Sequence, residues 1–257
     1  MNPPRWLNFA LLCTSFGGAL LAQSAPSRTL LVAAAADLAP LEVPLSQGFA
    51  RQSGLAVQFT FGASGMLARQ IEFGAPYDVF LSANEDLVEH LVVTGHAERA
   101  SVTLYASGRL GLWSAHAPLA SLADLAQSRY VTIALPNPAH APYGVAAVEL
   151  LKNTGLWPKL QTRVVYGENV RQALEYAASG NADAVLTAWT LLRLKPGAKL
   201  LDGKDMPVVR QSGAVVTGSP HAAAARAFMA YLLSPAGQAT LRNEGLFPSP
   251  GGHESAR

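Results

Sequence analysis

The sequence predicts an α/β protein of two lobes, each a mostly parallel sheet flanked by helices, joined by two crossover strands. Three observations lead to that fold class. From Thr29 onward, short apolar runs rich in β-branched residues alternate with helix-forming strings, the pattern of repeated β–α units around a parallel sheet. Two longer extended stretches, 102–114 and 206–219, interrupt the alternation. Between them it restarts, so the chain leaves one α/β unit near residue 105, builds another and returns near 212. Two crossings make a hinge with a cleft between the lobes. The expected parts are a leader over 1–25, a first lobe over 28–104 plus 213–248, a second lobe over 105–212, and a Gly- and Pro-rich tail over 249–257.

The elements follow in order. "WLNFALLCTSFGGALLA" after Arg5 is a short apolar run ending in small residues, the pattern of a secretory signal cut after Ala22 or Ala25. Its interruption by Asn, Thr, Ser and Gly argues against a membrane span. Cys13 lies inside it, so the exported, periplasmic chain would hold neither disulfides nor thiol ligands. "TLLVAAAA" reads as a strand and "DLAPLEVPLSQGFARQSG" as a helix ended by Gly54, its start delayed or kinked by Pro44. Next come "LAVQFTF" as strand, "SGMLARQIEFG" as helix, "YDVFLSA" as strand, and a helix opened by Ser82 and Glu85 at capping-box spacing. After the extended 102–114, strands "YVTIALPN", "LQTRVVYG" and "ADAVLTAW" alternate with helices "APYGVAAVELLKNTG" and "ENVRQALEYAASG". The extended 206–219 and the helix "PHAAAARAFMAYLLS" complete the reading.

Composition narrows the chemistry. Of 257 residues, 50% are hydrophobic and 14% charged, which suits a folded globular chain and argues against disorder. A net charge of +2 with no Lys/Arg cluster excludes nucleic acid as an expected partner. The six histidines show neither H-x3-H nor HExxH spacing, so no direct metal ligands and no cofactor are expected. Asp78 and Asp183 each precede a buried strand and read as carboxylates anchoring backbone.

The chemistry concentrates at four βα junctions: "AAAADL" (33–38), "GASGM" (62–66), "APYGV" (141–145) and "GENVR" (167–171). In open α/β sheets the helix starts lie beyond the carboxyl ends of the strands, where ligands bind. Turns of this kind need glycine and caps in any case, but four converging on one cleft form an anion cradle. Each helix start contributes about 0.3–1 kcal/mol to an anion, and each hydrogen bond to a charged acceptor about 1.5–3 kcal/mol. Five to seven such bonds suffice for about −8 kcal/mol, micromolar binding, after ordering costs. No lysine follows "GASG", which separates it from a nucleotide-binding GxxxxGK[ST] loop. Ser64 is the sharpest single residue: it reads as the cap of the helix from Gly65, as a hydroxyl and amide donor to a ligand oxygen, or as both. A nucleophilic role is disfavoured, because Gly62-Ala63-Ser64-Gly65-Met66 places the second glycine one residue early for a hydrolase elbow, and no histidine stands ready as base.

The runs "FGASGMLARQIEFGAPYDVFLSANEDLVEHL", "IALPNPAHAPYGVAAVELL" and "GENVRQALEYAASGNADAV", in that order, resemble the periplasmic molybdate-binding proteins of ABC transporters, over residues 29–248. The resemblance implies a type II periplasmic binding-protein fold, no enzymatic activity, and a monomer that closes on tetrahedral molybdate or tungstate. It further implies delivery of that ion to the membrane permease and ATPase subunits of an importer. It carries over an oxyanion site at Ser64 (hydroxyl and amide), Tyr143 and Val170 (backbone N–H), and Ala36 with Asp37 at the first motif. Some members use a tyrosine hydroxyl at the Tyr143 position, and a tyrosine that others supply after "GNADAV" is Ala188 here. Sulfate or another tetrahedral oxyanion is the alternative within the fold. The ligand-sensing module of a regulator, or an exported hydrolase using Ser64, is the alternative outside it.

Ala36-Asp37 departs from the family's Ser or Thr-Asn. An ionised Asp 4 Å from a dianion would cost about 4 kcal/mol per unit of ligand charge at an effective dielectric of 20. Two arrangements relieve this. Asp37 either caps its own helix with the carboxylate turned from the ligand, in keeping with the preference of Asp for that position, or is protonated in the closed site and donates.

Overall fold

The computed structural model describes residues 29–249 apart from 117 and 204. The expected leader, Cys13 within it, and all of the expected tail but Ser249 lie outside the described residues.

The first lobe opens with β1 (Thr29–Ala35), a 3-10 turn (Ala36–Leu41) and α1 (Glu42–Ser53). Pro44 falls in the first turn of α1, where its missing N–H costs nothing, and Gly54 closes the helix at φ 72°. Next come β2 (Ala56–Gly62), α2 (Ser64–Glu72), β3 (Val79–Ser82), α3 (Glu85–Val93) and β4 (Thr103–Gly108). The second lobe contains β5 (Leu110–Trp113), β6 (Ile133–Pro136), α4 (Pro142–Asn153), α5 (Trp157–Leu160), β7 (Val164–Gly167), α6 (Val170–Ala178), β8 (Ala184–Ala188), α7 (Trp189–Leu192) and β9 (Lys199–Leu200). The chain then returns through β10 (Val209–Val215) to α8 (Ala222–Leu233) and α9 (Pro235–Asn243).

Two five-stranded sheets result, ordered β2-β1-β3-β10-β4 and β7-β6-β8-β5-β9. Within each, the three strands of the β–α units are parallel, and the strands next to the crossings run antiparallel. β4 and β10 pair with each other in the first sheet, so the chain changes sheet at Arg109 and again just before Val209. Those points lie a few residues from the expected 104/105 and 212/213, because mutual pairing carries both crossover strands further along the first lobe. An ion pair joins Arg109, at the first crossing, to Asp202 just past β9 (3.5 Å).

Each sheet is buried on both faces, which is why its central strands read as nearly continuous apolar runs. On the first sheet, Leu30, Val32 and Leu81 meet Phe49 of α1 and Phe228 and Tyr231 of α8, and the rings of Phe49 and Phe228 pack edge to face at 5.1 Å. Its other face packs Phe80 against Leu67 and Ile71 of α2 and Val88 and Leu91 of α3. In the second sheet, Ile133 and Leu135 face Leu150 and Leu151 of α4, while Ala134 and Val185 face Ala173 and Ala177 of α6. Asp78 and Asp183 do anchor backbone: their Oδ2 atoms accept from the N–H groups of Leu31 and Thr132 respectively, each at 2.8 Å. One local expectation fails. The cap of α3 is Asn84, whose Oδ1 accepts from the Asp86 N–H at 2.8 Å, and Ser82 instead bonds the backbone of Asn84.

Candidate functional site

The parallel strands aim their carboxyl ends at the gap between the lobes, and the four predicted junctions meet there. A small cavity is lined by Ala35, Ala36 and Asp37 from the first junction and Gly62, Ala63 and Ser64 from the second. Ala141, Pro142 and Tyr143 come from the third, and Asn169 and Val170 from the fourth. Ala83, just past β3, completes the lining and belongs to a fifth junction that the sequence reading did not single out. Ser64, Asp37, Ala36, Tyr143 and Val170 are thus brought together around one space, and no Lys, Arg or His lines it.

Each helix start leaves an amide without an intrahelical partner by its position. In α6 the Asn169 cap takes the N–H groups of Arg171 (2.9 Å) and Gln172 (3.2 Å), leaving that of Val170. In α4 the first residue is Pro142, which has no N–H, and no side chain caps the helix, so Tyr143 carries the first amide. α2 starts at Ser64 itself, with Ala63 in the cap position and no side-chain cap. The expectation that Ser64 caps a helix from Gly65 is therefore corrected. Its Oγ instead accepts the Ala83 N–H at 3.0 Å, which leaves the hydroxyl hydrogen free to donate.

The lobes touch across the cavity. The Gly65 N–H donates to the His140 carbonyl at 3.0 Å, and a Cβ at position 65 would lie 3.0 Å from that oxygen. The Thr190 hydroxyl of α7 donates to the Asp37 carbonyl at 2.7 Å.

Asp37 is fully buried and does not cap its own turn, so that expected arrangement is also corrected. Its Oδ2 accepts from the Tyr143 hydroxyl (2.9 Å) and from Gln211 Nε2 (2.7 Å), and Gln211 Oε1 accepts from the Tyr105 hydroxyl (3.1 Å). Its Oδ1 is buried with no partner. Burial pushes the Asp37 carboxyl up to about 6 from 3.8, against the opposing pull of the Tyr143, Gln211 and own-amide hydrogen bonds. Burial, aided by the Asp37 charge, drives the hydroxyls of Tyr143 and Tyr105 well above 10.0. The Tyr143 hydroxyl therefore donates to Asp37. Gln211 and Tyr105 were missed because nothing local marks them; they reach Asp37 from the crossover strands.

Comparison with known proteins agrees with this architecture. Residues 30–247 match the family model described as bacterial extracellular solute-binding protein. The chain is 31% identical to the molybdate-binding protein ModA of Rhodobacter capsulatus over 229 residues, covering 88% of this chain and 90% of that one. It is 33% identical to ModA of Azotobacter vinelandii over 241 residues, covering 89% and 94%. The solved structure of the Azotobacter vinelandii periplasmic molybdate-binding protein superposes with a TM-score of 0.81 at 33% identity, covering 86% of this chain and all of that one.

Proposed function

The chain belongs to the bacterial extracellular solute-binding proteins, and from that membership we propose that it captures molybdate or tungstate in the cleft between its lobes and hands the ion to an ABC importer. One observation carries the reading: a cavity between the lobes built from helix-start amides and the Ser64 hydroxyl, with no cationic side chain in its lining. Such a site suits a small, symmetric oxyanion stripped of water. Neutral donors stabilise the charge by about 1.5–3 kcal/mol per hydrogen bond, and a fixed array of dipoles needs no reorganisation when the ion arrives. The ligand is held as the intact oxyanion through its oxygens, at Ser64, Val170 and the backbone of Ala36, Asp37 and Tyr143.

In this reading the protein is exported, acts as a monomer outside the cytoplasmic membrane, and meets permease and ATPase subunits only through the importer. It performs no catalysis; Ser64 spends its acceptor on Ala83 and has no histidine among its hydrogen-bond partners to act as base. The names of the relatives support molybdate over other oxyanions, while the neutral lining supports a tetrahedral oxyanion as such. Calorimetric titration of the ligand-stripped protein with molybdate, tungstate, sulfate and phosphate tests it. Micromolar or tighter binding of the first two is expected. Absence of heat with all four overturns the oxyanion reading, and preference for sulfate reassigns the ligand.

A further inference from the structure

The cavity is a place for donors, yet it holds one carboxyl group. An ionised carboxylate has only acceptors on both oxygens, and a buried acceptor without a donor is destabilising. Asp37 does not match that state. Its Oδ2 takes two donors, Tyr143 and Gln211, while Oδ1 takes none. A neutral carboxylic acid does match: a carbonyl oxygen accepting both bonds, and an O–H in need of an acceptor. Of the other side chains that line the cavity, Ser64 and Asn169 already accept backbone N–H groups, so a ligand oxygen is the acceptor that capture would add.

The surroundings contain no cation that would hold Asp37 ionised; only the hydrogen bonds from Tyr143, Gln211 and its own amide favour the charged form, and burial outweighs them. The titratable groups facing it are the Tyr143 hydroxyl from α4 and, through Gln211 of β10, the Tyr105 hydroxyl from β4. α7 contributes the neutral Thr190. The charged residues of the helices packed on its turn are turned away: Glu42 and Arg51 of α1 and Arg171 and Glu175 of α6 are exposed. Arg193, at the end of α7, is paired with Glu244. Burial alone already raises the carboxyl toward neutrality, and a dianion beside it acts in the same direction.

We propose that Asp37 is a neutral acid in the loaded cleft, its Oδ1 carrying a proton and donating a hydrogen bond to an oxygen of the bound dianion, so that each captured dianion takes up one proton. This deepens the oxyanion reading and rests on it. No bond to the ligand forms or breaks; the proton comes from solvent onto Asp37 as the cleft closes and returns when it opens. Affinity thereby becomes a function of pH, and an acidic medium loads the protein while an alkaline one unloads it.

The test is calorimetric titration of the mature protein with molybdate at pH 6, 7 and 8, in paired buffers of different ionisation heat, on wild type and Asp37→Asn. Wild type should take up close to one proton per molybdate at pH 8, and its affinity should fall about tenfold per pH unit above 7. In Asp37→Asn the amide oxygen accepts from Tyr143 and Gln211 while Nδ2–H donates, so binding should persist with no proton uptake and a flat profile. A flat wild-type profile with zero proton uptake overturns the proposal. So does capture of hydrogen phosphate with refusal of molybdate, which would put the proton on the ligand and leave Asp37 as acceptor. If none of the oxyanions binds at any pH, the reading of the cleft itself falls and the proposal with it. Should Asp37→Asn not fold, the wild-type proton count decides alone.

Discussion

A single methyl group at Gly65 should separate lobe closure from folding. The Gly65 amide donates to the His140 carbonyl across the cleft at 3.0 Å, and an added Cβ would stand 3.0 Å from that oxygen, 3.2 Å from its Cα and 3.3 Å from its Cβ. His140 cannot simply retreat, because its own N–H and that of Ala141 are bonded to the Asn137 carbonyl at 3.3 and 2.8 Å. The lobes must part by a few tenths of an ångström instead. Overpacking of this order costs about 1–3 kcal/mol, and only in the closed form. Because closure is coupled to capture, Gly65→Ala should weaken molybdate binding about 5- to 150-fold. Within α2 the same substitution favours the helix by about 0.5–1 kcal/mol. The ligand-free melting temperature should therefore hold or rise while affinity falls. Calorimetry and thermal unfolding on the same preparation read the two signs. Unchanged affinity would refute the argument, since it would mean that the His140 contact is not part of the bound state.

Three further outcomes follow from the same geometry. Asp37 has its carboxyl raised in the fold to about 6 from 3.8, so its contribution to stability is present below about pH 4 and lost as pH rises through 6. The shift corresponds to at most about 3 kcal/mol, or roughly 6–12 °C for a chain of this size, with lobe opening limiting the loss. Ligand-free Asp37→Asn should thus gain on wild type in melts from pH 5 to pH 8, and a gap independent of pH would contradict the assignment. Ser64→Ala leaves the buried Ala83 N–H without its 3.0 Å acceptor and removes a donor from the cavity; it should lower stability by about 1–3 kcal/mol and affinity by about tenfold or more, as melts and titrations will show. A Cβ at Gly108 would lie 1.9 Å from the Tyr143 hydroxyl oxygen, so Gly108→Ala should displace that hydroxyl from Asp37 and weaken binding. Its penalty should shrink in a Tyr143→Phe background, where the clashing oxygen is gone, and a double-mutant cycle measures the difference.

What could be read from the sequence was what is local. Strand-to-helix junctions announce themselves by glycine, small polar residues and a change of hydrophobic period, and all four that were singled out line the same cavity. Orientation within them was less legible. Ser64 looked like a cap because serine before a helical string usually is one; the Ala83 amide, 19 positions away, takes its oxygen instead. Asp37 looked like a cap for the same reason, but its partners Tyr143 and Gln211 lie 106 and 174 positions along the chain. No window on the sequence spans such distances. α9 was missed because its opening "PAGQATLRN" carries Pro and Gly. It forms through packing on α8, where a Cβ at Gly237 would sit 2.1 Å from the Tyr231 carbonyl oxygen. The points where the chain changes lobe were blurred because one long extended stretch looks the same whichever sheet it joins.

The crossing at Arg109 also has a practical consequence. Ser107, two residues before it, exchanges both backbone bonds with Phe247 at 2.8 Å and donates its hydroxyl to the Pro248 carbonyl at 2.9 Å, while the Arg109 guanidinium stacks over the Phe247 ring. The last described stretch of chain is therefore fastened to the pivot. A fluorescent protein fused behind it would travel least when the lobes rotate and would make a poor biosensor. Dyes on Asp86 and Val145, which line one groove from opposite lobes, would instead change separation directly with each ion caught.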